Sequence, residues 1–465
     1  AEKDCRQQRT DTSVLGRCAK CDCHGQKGWV AMANDFRKGD KITLVNGDVA
    51  KVIEKLGEGG QGIVYSVKID GEDYALKWYT FKFQNKKGFR KNLQENIRNG
   101  APDSKFLWPL YLTEEINNSF GYVMELRPKR FSDFSDILNN KAKFTSTEVM
   151  ITSALNIVNA FRTLHRMGLS YQDLNDGNFF IDVSNGDVLI CDNDNVTPDG
   201  MKNAGNIGGK PGYMAPEIVC GKTYPNSLTD CHSLSVILFK LFCRHDPLMG
   251  KAYVDSVCIT EKREFELYGK NPVFIFDPKD YSNKPVPGVH PNPIKLWPRY
   301  PKFIQDAFIK SFCDGLKNPN QRLPENEWQK LLIRFRGTIL KCPHCSSEIC
   351  LATVPHGETI KFDCGSSYSY PYSLSSDRYK VPIFPSIKIY KCQTVQDCDD
   401  YTTVTGEVIM NKNNPALWGI KNVSRTAWSF IAAGKESKEI ANGSVVPVAN
   451  NVEIVFENIK ATVRK

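Results

Sequence analysis

The stretch Gly57-Glu58-Gly59-Gly60-Gln61-Gly62-Ile63-Val64, followed by Ala75-Leu76-Lys77, decides the fold of the first half of this 465-residue chain. The residues after the glycines alternate and are β-branched, so they predict a strand and not the helix that a dinucleotide-binding turn requires. Asp70-Gly71 then predicts a hairpin whose return strand carries the lysine. Glycine lets a backbone approach phosphates closely, and lysine supplies a positive charge, so the stretch predicts a clamp for nucleotide phosphates.

Four later motifs fit the same chemistry. Tyr171-Gln172-Asp173-Leu174-Asn175-Asp176-Gly177-Asn178 spaces an aspartate and an asparagine along one loop, and Val188-Leu189-Ile190-Cys191-Asp192 is an apolar strand that ends in a carboxylate. Carboxylate and amide oxygens are ligands that Mg²⁺ prefers. Gly121-Tyr122-Val123-Met124-Glu125-Leu126 predicts a buried strand, and Gly212-Tyr213-Met214-Ala215-Pro216-Glu217 follows the segment after Asp192.

In order and spacing these motifs resemble those of Ser/Thr protein kinases, over residues 39–337. The resemblance implies an α+β, bilobal protein-kinase fold with an N-lobe at 39–125 and a C-lobe at 126–337. It also implies ATP and Mg²⁺ as cofactors. In that family, Asp230 would anchor the catalytic loop, which is residues 171–178 here, and Arg322 would pair with Glu217; both are structural residues.

The resemblance also implies roles for the matching residues. Asp173 would act as the catalytic base, and Lys77 would be held by Glu95, the one glutamate between Lys77 and Glu114. Asn178 and Asp192 would bind magnesium. The residues implied for nucleotide binding are Gly57, Gly59, Gly62, Val64, Ala75, Lys77, Met124, Glu125 and Leu126.

The chain departs from the family pattern at several positions. Gln172 replaces the arginine that receives an activation-loop phosphate, so we expect activity without that phosphorylation. The usual Asp-Phe-Gly is Asp192-Asn193-Asp194, in which Asp192 fits the magnesium position better than Asp194. Asn175 replaces a lysine and Lys210 replaces a threonine. We therefore expect the catalytic cation to have moved to Lys210, although a solvated loop lysine is the plain alternative.

Composition fits a globular protein that works in the cytoplasm. The hydrophobic fraction is 41%, the net charge is +9, and no run approaches the ~20 apolar residues of a membrane helix. The charge predicts a solvated surface, because no basic and aromatic array of a nucleic-acid module is present. Cysteines stay reduced in the cytoplasm. Residues 1–38, with their own cluster of cysteines, are interpreted as a leader that is either non-native or disordered.

The segment 338–378 resembles a zinc ribbon. Cys342-Pro343-His344-Cys345 has the turn of a zinc knuckle, but the second knuckle keeps a single cysteine, Cys364. Either another residue (Cys350, His356 or Cys392) completes a Zn²⁺ site, or the ribbon has lost its metal.

Residues 379–465 predict short strands between turn signals, and hence a β-sandwich or barrel that serves as an interaction module. The whole layout is similar to bacterial kinases of the tellurite-resistance-linked triad, which accompany a von Willebrand A-type protein and a PP2C-type phosphatase. That similarity implies those proteins as partners, next to a protein substrate.

Three hypotheses from different classes follow. The chain is an active protein Ser/Thr kinase, which the presence of Lys77, Asp173, Asn178 and Asp192 favours. Alternatively it is a pseudokinase scaffold that binds nucleotide, for which the altered Asp192-Asn193-Asp194 leaves room. The third, a small-molecule phosphotransferase, is disfavoured by Ala215-Pro216-Glu217 and Arg322.

Overall fold

The structure is a computed structural model that describes residues 35–80, 85–201, 209–432 and 436–465. The leader predicted at residues 1–38 therefore lies outside the described residues, except for its last part. That part already belongs to the first lobe: the Tyr65 hydroxyl donates to Asp35 Oδ1 at 3.0 Å, and the ring of Phe36 packs edge-on against Trp78. The first lobe thus begins before the predicted boundary at residue 39.

The first lobe is an antiparallel sheet with one helix. Its elements are β1 (Lys41–Thr43), β2 (Val49–Glu58), β3 (Gly62–Ile69), β4 (Glu72–Tyr79), α1 (Lys86–Asn99), β5 (Tyr111–Leu112) and β6 (Gly121–Glu125). The strands lie in the order β1-β2-β3-β4-β6-β5. The predicted hairpin is confirmed, because Asp70 and Gly71 have φ of 49° and 91° and leave Ile69 opposite Glu72.

Alternation along β4 gives the sheet two faces. Leu76 and Trp78 pack into a core with β1, β2 and β3. Ala75 and Tyr79 pack into a second core with α1 and β6. Lys77, which lies between them, therefore belongs to the face that carries α1.

Helix α1 packs on that face through an apolar stripe. Its N-cap is Asn85, whose Oδ1 accepts a hydrogen bond from the Gly88 N–H at 2.9 Å. Phe89 and Leu93, one turn apart, are both fully buried in the core beneath the sheet. The helix is thus held by packing along one stripe, which fixes the rotation of its other residues.

The second lobe is mostly helical and holds the largest apolar core. Its elements are β7 (Ser132–Asp133), α2 (Phe134–Leu138), α3 (Thr147–Arg166), β8 (Leu169–Tyr171), β9 (Phe179–Ile181), β10 (Val188–Ile190), β11 (Val196–Pro198), α4 (Pro216–Val219), α5 (Ser227–Cys243), α6 (Lys251–Val254), α7 (Glu261–Glu264), α8 (Pro291–Leu296), α9 (Lys302–Ile309), α10 (Gly315–Lys317) and α11 (Glu325–Arg336). Helices α3 and α5 are buried over most of their length, and they support the loops between β8 and β11.

The rest of the chain is rich in strands, as predicted. Its elements are β12 (Ile339–Lys341), β13 (Glu348–Cys350), β14 (Ile360–Lys361), β15 (Ser367–Tyr368), β16 (Ser373–Ser375), β17 (Lys380–Pro382), β18 (Lys388–Tyr390), α12 (Lys391–Thr394), β19 (Val404–Met410), β20 (Trp418–Asn422), β21 (Trp428–Ile431), β22 (Lys438–Ile440), β23 (Val445–Pro447), β24 (Glu453–Val455) and β25 (Lys460–Arg464). The first four strands form two small hairpins, β12–β13 and β14–β15.

The remaining strands form a sandwich of two sheets. One sheet has the order β17-β16-β25-β24-β21-β22, the other β18-β19-β20-β23, and they share one apolar core. Trp428 of the first sheet reaches Gly406 of the second so closely that a Cβ there would lie 2.9 Å from the ring. Strand β16 pairs with β25, so the sandwich begins before the predicted boundary at residue 379.

The sandwich is joined to the second lobe through buried groups. The Tyr401 hydroxyl donates to Asn156 Oδ1 on α3 at 3.1 Å, and Arg336 Nη2 on α11 donates to the Tyr401 carbonyl at 2.6 Å. The Arg336 guanidinium also lies 3.8 Å from the centre of the Tyr390 ring. Tyr390 and Tyr401 are therefore members of the core of the second lobe.

Within the described ranges, none of the helices combines the length and the apolar character needed to cross a bilayer.

Candidate active site

The glycine loop lies between β2 and β3 and leaves room above it. A Cβ on Gly62 would lie 2.1 Å from the carbonyl oxygen of Trp78, so only glycine fits against β4. A Cβ on Gly57 or Gly59 would meet nothing within 4 Å, which leaves space for a ligand. The Gly59 N–H donates to the Gly62 carbonyl at 2.9 Å and closes the loop.

Four residues predicted to bind a base (Val64, Ala75, Met124 and Leu126) lie in one apolar cluster. Ala75 is paired with Met124 across β4 and β6, and both are buried. Val64 and Leu126 border the same cluster and are partly exposed. Glu125, at the end of β6, is exposed. The structure thus brings the predicted base-binding residues to one cleft.

Lys77 is the buried cation of this cleft. Its Nζ donates to Gln61 Oε1 at 2.8 Å, to Asp192 Oδ1 at 3.0 Å and to Asp194 Oδ2 at 3.1 Å. Burial by itself lowers the pKa of Lys77, but the two carboxylates raise it above its usual value. The amine is therefore protonated, as the predicted phosphate-binding role of Lys77 requires.

The Lys77–Glu95 ion pair expected from the sequence is not among the ion pairs of the described residues. Glu95 pairs instead with Lys91 at 3.7 Å on the outside of α1, where its side chain is 45% exposed. The reason is helical phase: two residues after the buried Leu93, a side chain is rotated by about 200° from the packed stripe. Asp194 takes the place at Lys77, which the sequence reasoning did not foresee.

Hydrogen bonds join the catalytic loop to the strand that ends at Asp192. Asn178 Nδ2 donates to the Asp173 carbonyl at 2.7 Å and to the Tyr171 hydroxyl at 3.1 Å. The Cys191 N–H donates to the Asn178 carbonyl at 2.9 Å. Asp192 itself has φ of 58°, a left-handed conformation that is uncommon outside glycine and recurs at functional sites.

These residues fit a magnesium ion. Asn178 uses its Nδ2 in the bonds above, so its Oδ1 is the atom that could bind a cation. The Asp192 carboxylate is 34% exposed and faces the cleft, whereas Asp194 is fully buried. Hard oxygen donors of this kind suit Mg²⁺.

Asp173 lies at the mouth of the same cleft and is half-buried. Burial raises its pKa, while the Asn175 amide, which donates to Asp173 Oδ1 at 3.1 Å, opposes that rise. A Cβ on Gly209 would lie 3.7 Å from the same oxygen. The segment that contains Lys210 therefore runs directly beside Asp173.

Lys210 is held by the catalytic loop. Its Nζ lies 3.0 Å from Asp176 Oδ1, and the partly buried Lys240 approaches the other oxygen at 3.9 Å. Burial raises the pKa of Asp176, but these two lysines and Tyr213 lower it overall. A cation therefore does lie beside the loop, with Asp176 as its partner in this structure.

The two structural pairs expected from the sequence are confirmed. Asp230 Oδ2 accepts the Tyr171 N–H at 2.7 Å and so anchors the catalytic loop. Arg322 donates from Nη1 and Nη2 to the two oxygens of Glu217, at 2.7 and 2.8 Å. His165 extends the first pair, since it bonds Asp230 at 3.0 Å and Glu325 at 2.8 Å. No motif singled out His165.

A second cluster lies at the tips of the two small hairpins. The sulfurs of Cys342, Cys345 and Cys364 are all within 4.8 Å of one another, and they could hold a metal ion. Hydrogen bonds from the hydroxyl and backbone of Ser347 lower the pKa of Cys345 to about 6, so its thiolate is present at neutral pH.

The predicted fourth ligands lie elsewhere. Cys350 is 3.7 Å from the Thr338 hydroxyl, His356 packs against Tyr370, and Cys392 is buried in the second lobe. In the described part of the chain the cluster therefore offers three thiols.

Comparison with known families identifies the family to which this chain belongs. The family model "Protein kinase domain" matches residues 50–320, which is more than half of the chain. The chain belongs to the protein kinase family. A domain of this family uses ATP and Mg²⁺ in general.

Individual relatives are distant. The chain is 27% identical over 236 residues to G protein-coupled receptor kinase 2 of Caenorhabditis elegans, which covers 48% of this chain and 32% of that protein. It is 26% identical over 219 residues to ribosomal protein S6 kinase alpha-4 of Homo sapiens, and the match covers 45% of this chain and 28% of that protein. Glycogen synthase kinase 1 of Pyricularia oryzae is 24% identical to it over 314 residues, and the match covers 60% of this chain and 76% of that protein. The chain thus matches about a third of the length of the first two relatives.

Proposed function

We propose that this chain is an active protein kinase that transfers the γ-phosphate of ATP to Ser or Thr hydroxyls of a protein partner. The observation that carries the proposal is the hydrogen-bonded unit of Asp173, Asn178 and Asp192, which faces the protonated Lys77 across the cleft. The kinase relatives named above support the same chemistry.

In the proposed mechanism, Asp173 accepts the proton of the substrate hydroxyl and keeps that oxygen in line with the γ-phosphate. Asn175 orients the Asp173 carboxylate through its amide. Lys77 binds the α- and β-phosphates, and Gln61 ties the glycine loop to Lys77. Asn178 and Asp192 would hold magnesium, which neutralises charge on the phosphates when it is bound.

Two alternative functions can be weighed against specific features of the site. A pseudokinase scaffold is suggested by the altered Asp192-Asn193-Asp194, whereas the left-handed Asp192 beside Asn178 supports a magnesium-competent site. A small-molecule phosphotransferase is disfavoured, because the buried Arg322–Glu217 pair supports a protein-kinase lobe.

Radiolabelled ATP tests this proposal. The wild-type chain is incubated with generic protein substrates, and Asp173→Asn serves as the matched variant, with ATP binding measured separately. We expect label on Ser and Thr in the wild type only, and equal ATP binding in both. Transfer by Asp173→Asn at the wild-type rate would overturn the assignment. Binding without transfer in either protein would favour the pseudokinase.

The sandwich is proposed as a docking module for partners. The resemblance to the bacterial tellurite-resistance-linked kinases supports a von Willebrand A-type protein and a PP2C-type phosphatase as those partners. Affinity purification of the tagged chain from its native cells, followed by mass spectrometry, tests both partners.

A reducing, cytoplasmic location is supported by the cysteines, since those described are all free thiols.

The three-thiol cluster is proposed as a zinc site. Thiolates are the preferred ligands of structural Zn²⁺, and a water molecule or another small ligand would complete the tetrahedron. The ion would join the β12–β13 and β14–β15 hairpins, between the last kinase helix and the sandwich.

A further inference from the structure

We propose that Asp194, and not a carboxylate on helix α1, is the residue that positions Lys77 for the phosphates of ATP. This inference rests on the proposed function, because it concerns the same cleft. Protein kinases in general hold this lysine with a glutamate of the helix that corresponds to α1. Here the carboxylate comes from the Asp192-Asn193-Asp194 segment of the second lobe.

The surroundings of Asp194 are built for an ionised carboxylate. Its side chain is fully buried. It accepts hydrogen bonds from Lys77 Nζ at 3.1 Å, from the Tyr79 hydroxyl at 2.5 Å and from the Tyr122 hydroxyl at 3.4 Å. Burial raises the pKa of Tyr79 and Tyr122 most, and the negative charge of Asp194 raises it further. Both hydroxyls therefore keep their protons and donate hydrogen bonds. A buried carboxylate needs such partners, and it has one cation and two hydroxyls.

Helix α1 places no acidic side chain beside the Lys77 amine. The residues that it buries beneath the sheet are Phe89, Leu93 and Asn96. The Asn92 and Asn96 amides both donate to the Val196 carbonyl at 2.9 Å, so the polar link of α1 runs to the strand after Asp194. The helix is therefore a packing element that braces β11, and Lys77 does not depend on it for a partner.

Asp192 and Asp194, the two aspartates that contact Lys77, differ in their exposure and so in their proposed roles. Asp192 is partly exposed and faces the cleft, where a metal ion would compete with Lys77 for its oxygens. Asp194 is closed off from that competition by burial. Lys77 would therefore keep Asp194 as a carboxylate partner if a metal ion bound Asp192.

Trace acetylation of lysines tests this arrangement without nucleotide or transfer. The protein is treated with a small amount of acetic anhydride at a series of pH values, and acetylation of Lys77 is read by peptide mass spectrometry. The Lys77 amine is buried and bonded to Gln61, Asp192 and Asp194, which restricts its reaction with the reagent. Loss of the Asp194 carboxylate removes one charge-assisted hydrogen bond, so we expect Asp194→Asn to acetylate at Lys77 about tenfold faster than wild type at a given pH. Glu95→Gln, the matched change on α1, should leave the Lys77 profile unchanged.

Activity provides the second readout. We expect Asp194→Asn to lower kcat by about two orders of magnitude, as loss of one electrostatic positioning contact does, with a smaller rise in the Kd of ATP. If the wild-type chain transfers no phosphate, the proposed function fails while the acetylation profile still decides the role of Asp194.

Two results overturn the inference. One is a folded Asp194→Asn protein, judged by its melting temperature, whose Lys77 acetylates as in wild type. The other is a Glu95→Gln protein in which Lys77 acetylates faster. Glu95 is exposed and its variant is expected to fold, so this second result can overturn the inference even where Asp194→Asn does not fold.

Discussion

Gln172 donates a hydrogen bond from its Nε2 to the Oγ1 of Thr197 at 2.7 Å, and both side chains are buried. The contact joins the start of the catalytic loop to β11, which pairs with β8. The position that holds a phosphate-binding arginine in related enzymes is here occupied by a neutral amide with a neutral partner. A phosphate on Thr197 would have to be buried without a cation.

We predict that Thr197→Ala leaves the turnover rate nearly unchanged. The change removes one neutral hydrogen bond, which costs about 1 kcal/mol of folding stability, and it removes no group that touches ATP. Steady-state kinetics with ATP and a protein substrate measure the rate, and urea unfolding measures the stability. Activity that is lost in Thr197→Ala and regained in Thr197→Glu would show that phosphorylation of this residue matters.

Lys210→Ala is predicted to lower turnover by about two orders of magnitude. A cation beside Asp173 stabilises charge on the transferring phosphate, and removal of one such electrostatic contact typically costs ~2.7–4 kcal/mol. The double change Asn175→Lys with Lys210→Thr should restore part of the rate. Lys222→Ala, a change of another exposed lysine of the same lobe, is the control. An unchanged rate in Lys210→Ala would mean that its pairing with Asp176 serves the loop alone.

The stability that His165 provides should decline between about pH 6.5 and pH 10. Burial by itself lowers its pKa, but the hydrogen bonds to Asp230 and Glu325 raise it to about 10. A folded pKa above the unfolded value of 6.5 means that the stabilisation is complete below pH 6.5 and is lost as pH rises through 10. Urea unfolding of wild type and His165→Gln should therefore differ more at pH 6 than at pH 9.5. His356→Gln, at an exposed histidine, should track wild type, and a pH-independent difference for His165→Gln would contradict this account.

Purified protein is predicted to bind one Zn²⁺ per chain at the cysteine cluster. Replacement with Co²⁺ should give the absorption bands of cobalt–thiolate coordination, and Cys364→Ser should weaken metal retention during dialysis against a chelator. Cys258→Ser, at an exposed cysteine of the second lobe, should bind as wild type does. Full metal content in Cys364→Ser would place the ion elsewhere in the chain.

Local patterns were sufficient to predict the elements of the proposed phosphate clamp. The glycine loop, the Asp70-Gly71 hairpin and the strand of Lys77 depend on turn chemistry and alternation within some twenty residues. The anchors at Asp230 and Arg322 followed from family spacing. Short alternating runs between turn residues likewise predicted five of the ten strands of the sandwich, namely β18, β19, β20, β21 and β24.

One partner set by helix rotation was assigned wrongly, and one set by distant packing could not be predicted from local patterns. Glu95 was the one glutamate available in the helical segment, yet the stripe of Phe89 and Leu93 turns it outward. The position of the two stripe residues was a signal in the sequence that would have excluded it. The role of Asp194 had no such signal, since it depends on Tyr79 and Tyr122 from two strands of the other lobe.

The attachment of the sandwich to α3 has a consequence for how deletions are interpreted. Tyr401 bonds Asn156 near the middle of that helix, and His165 near its end bonds the aspartate that holds Tyr171. A chain that stops after Gly337 would lose Tyr390 and Tyr401 from the core that supports this helix. Loss of phosphorylation in such a truncated protein would therefore report damage to the enzyme itself, and partner recognition has to be assessed by point changes on the outer face of the sandwich.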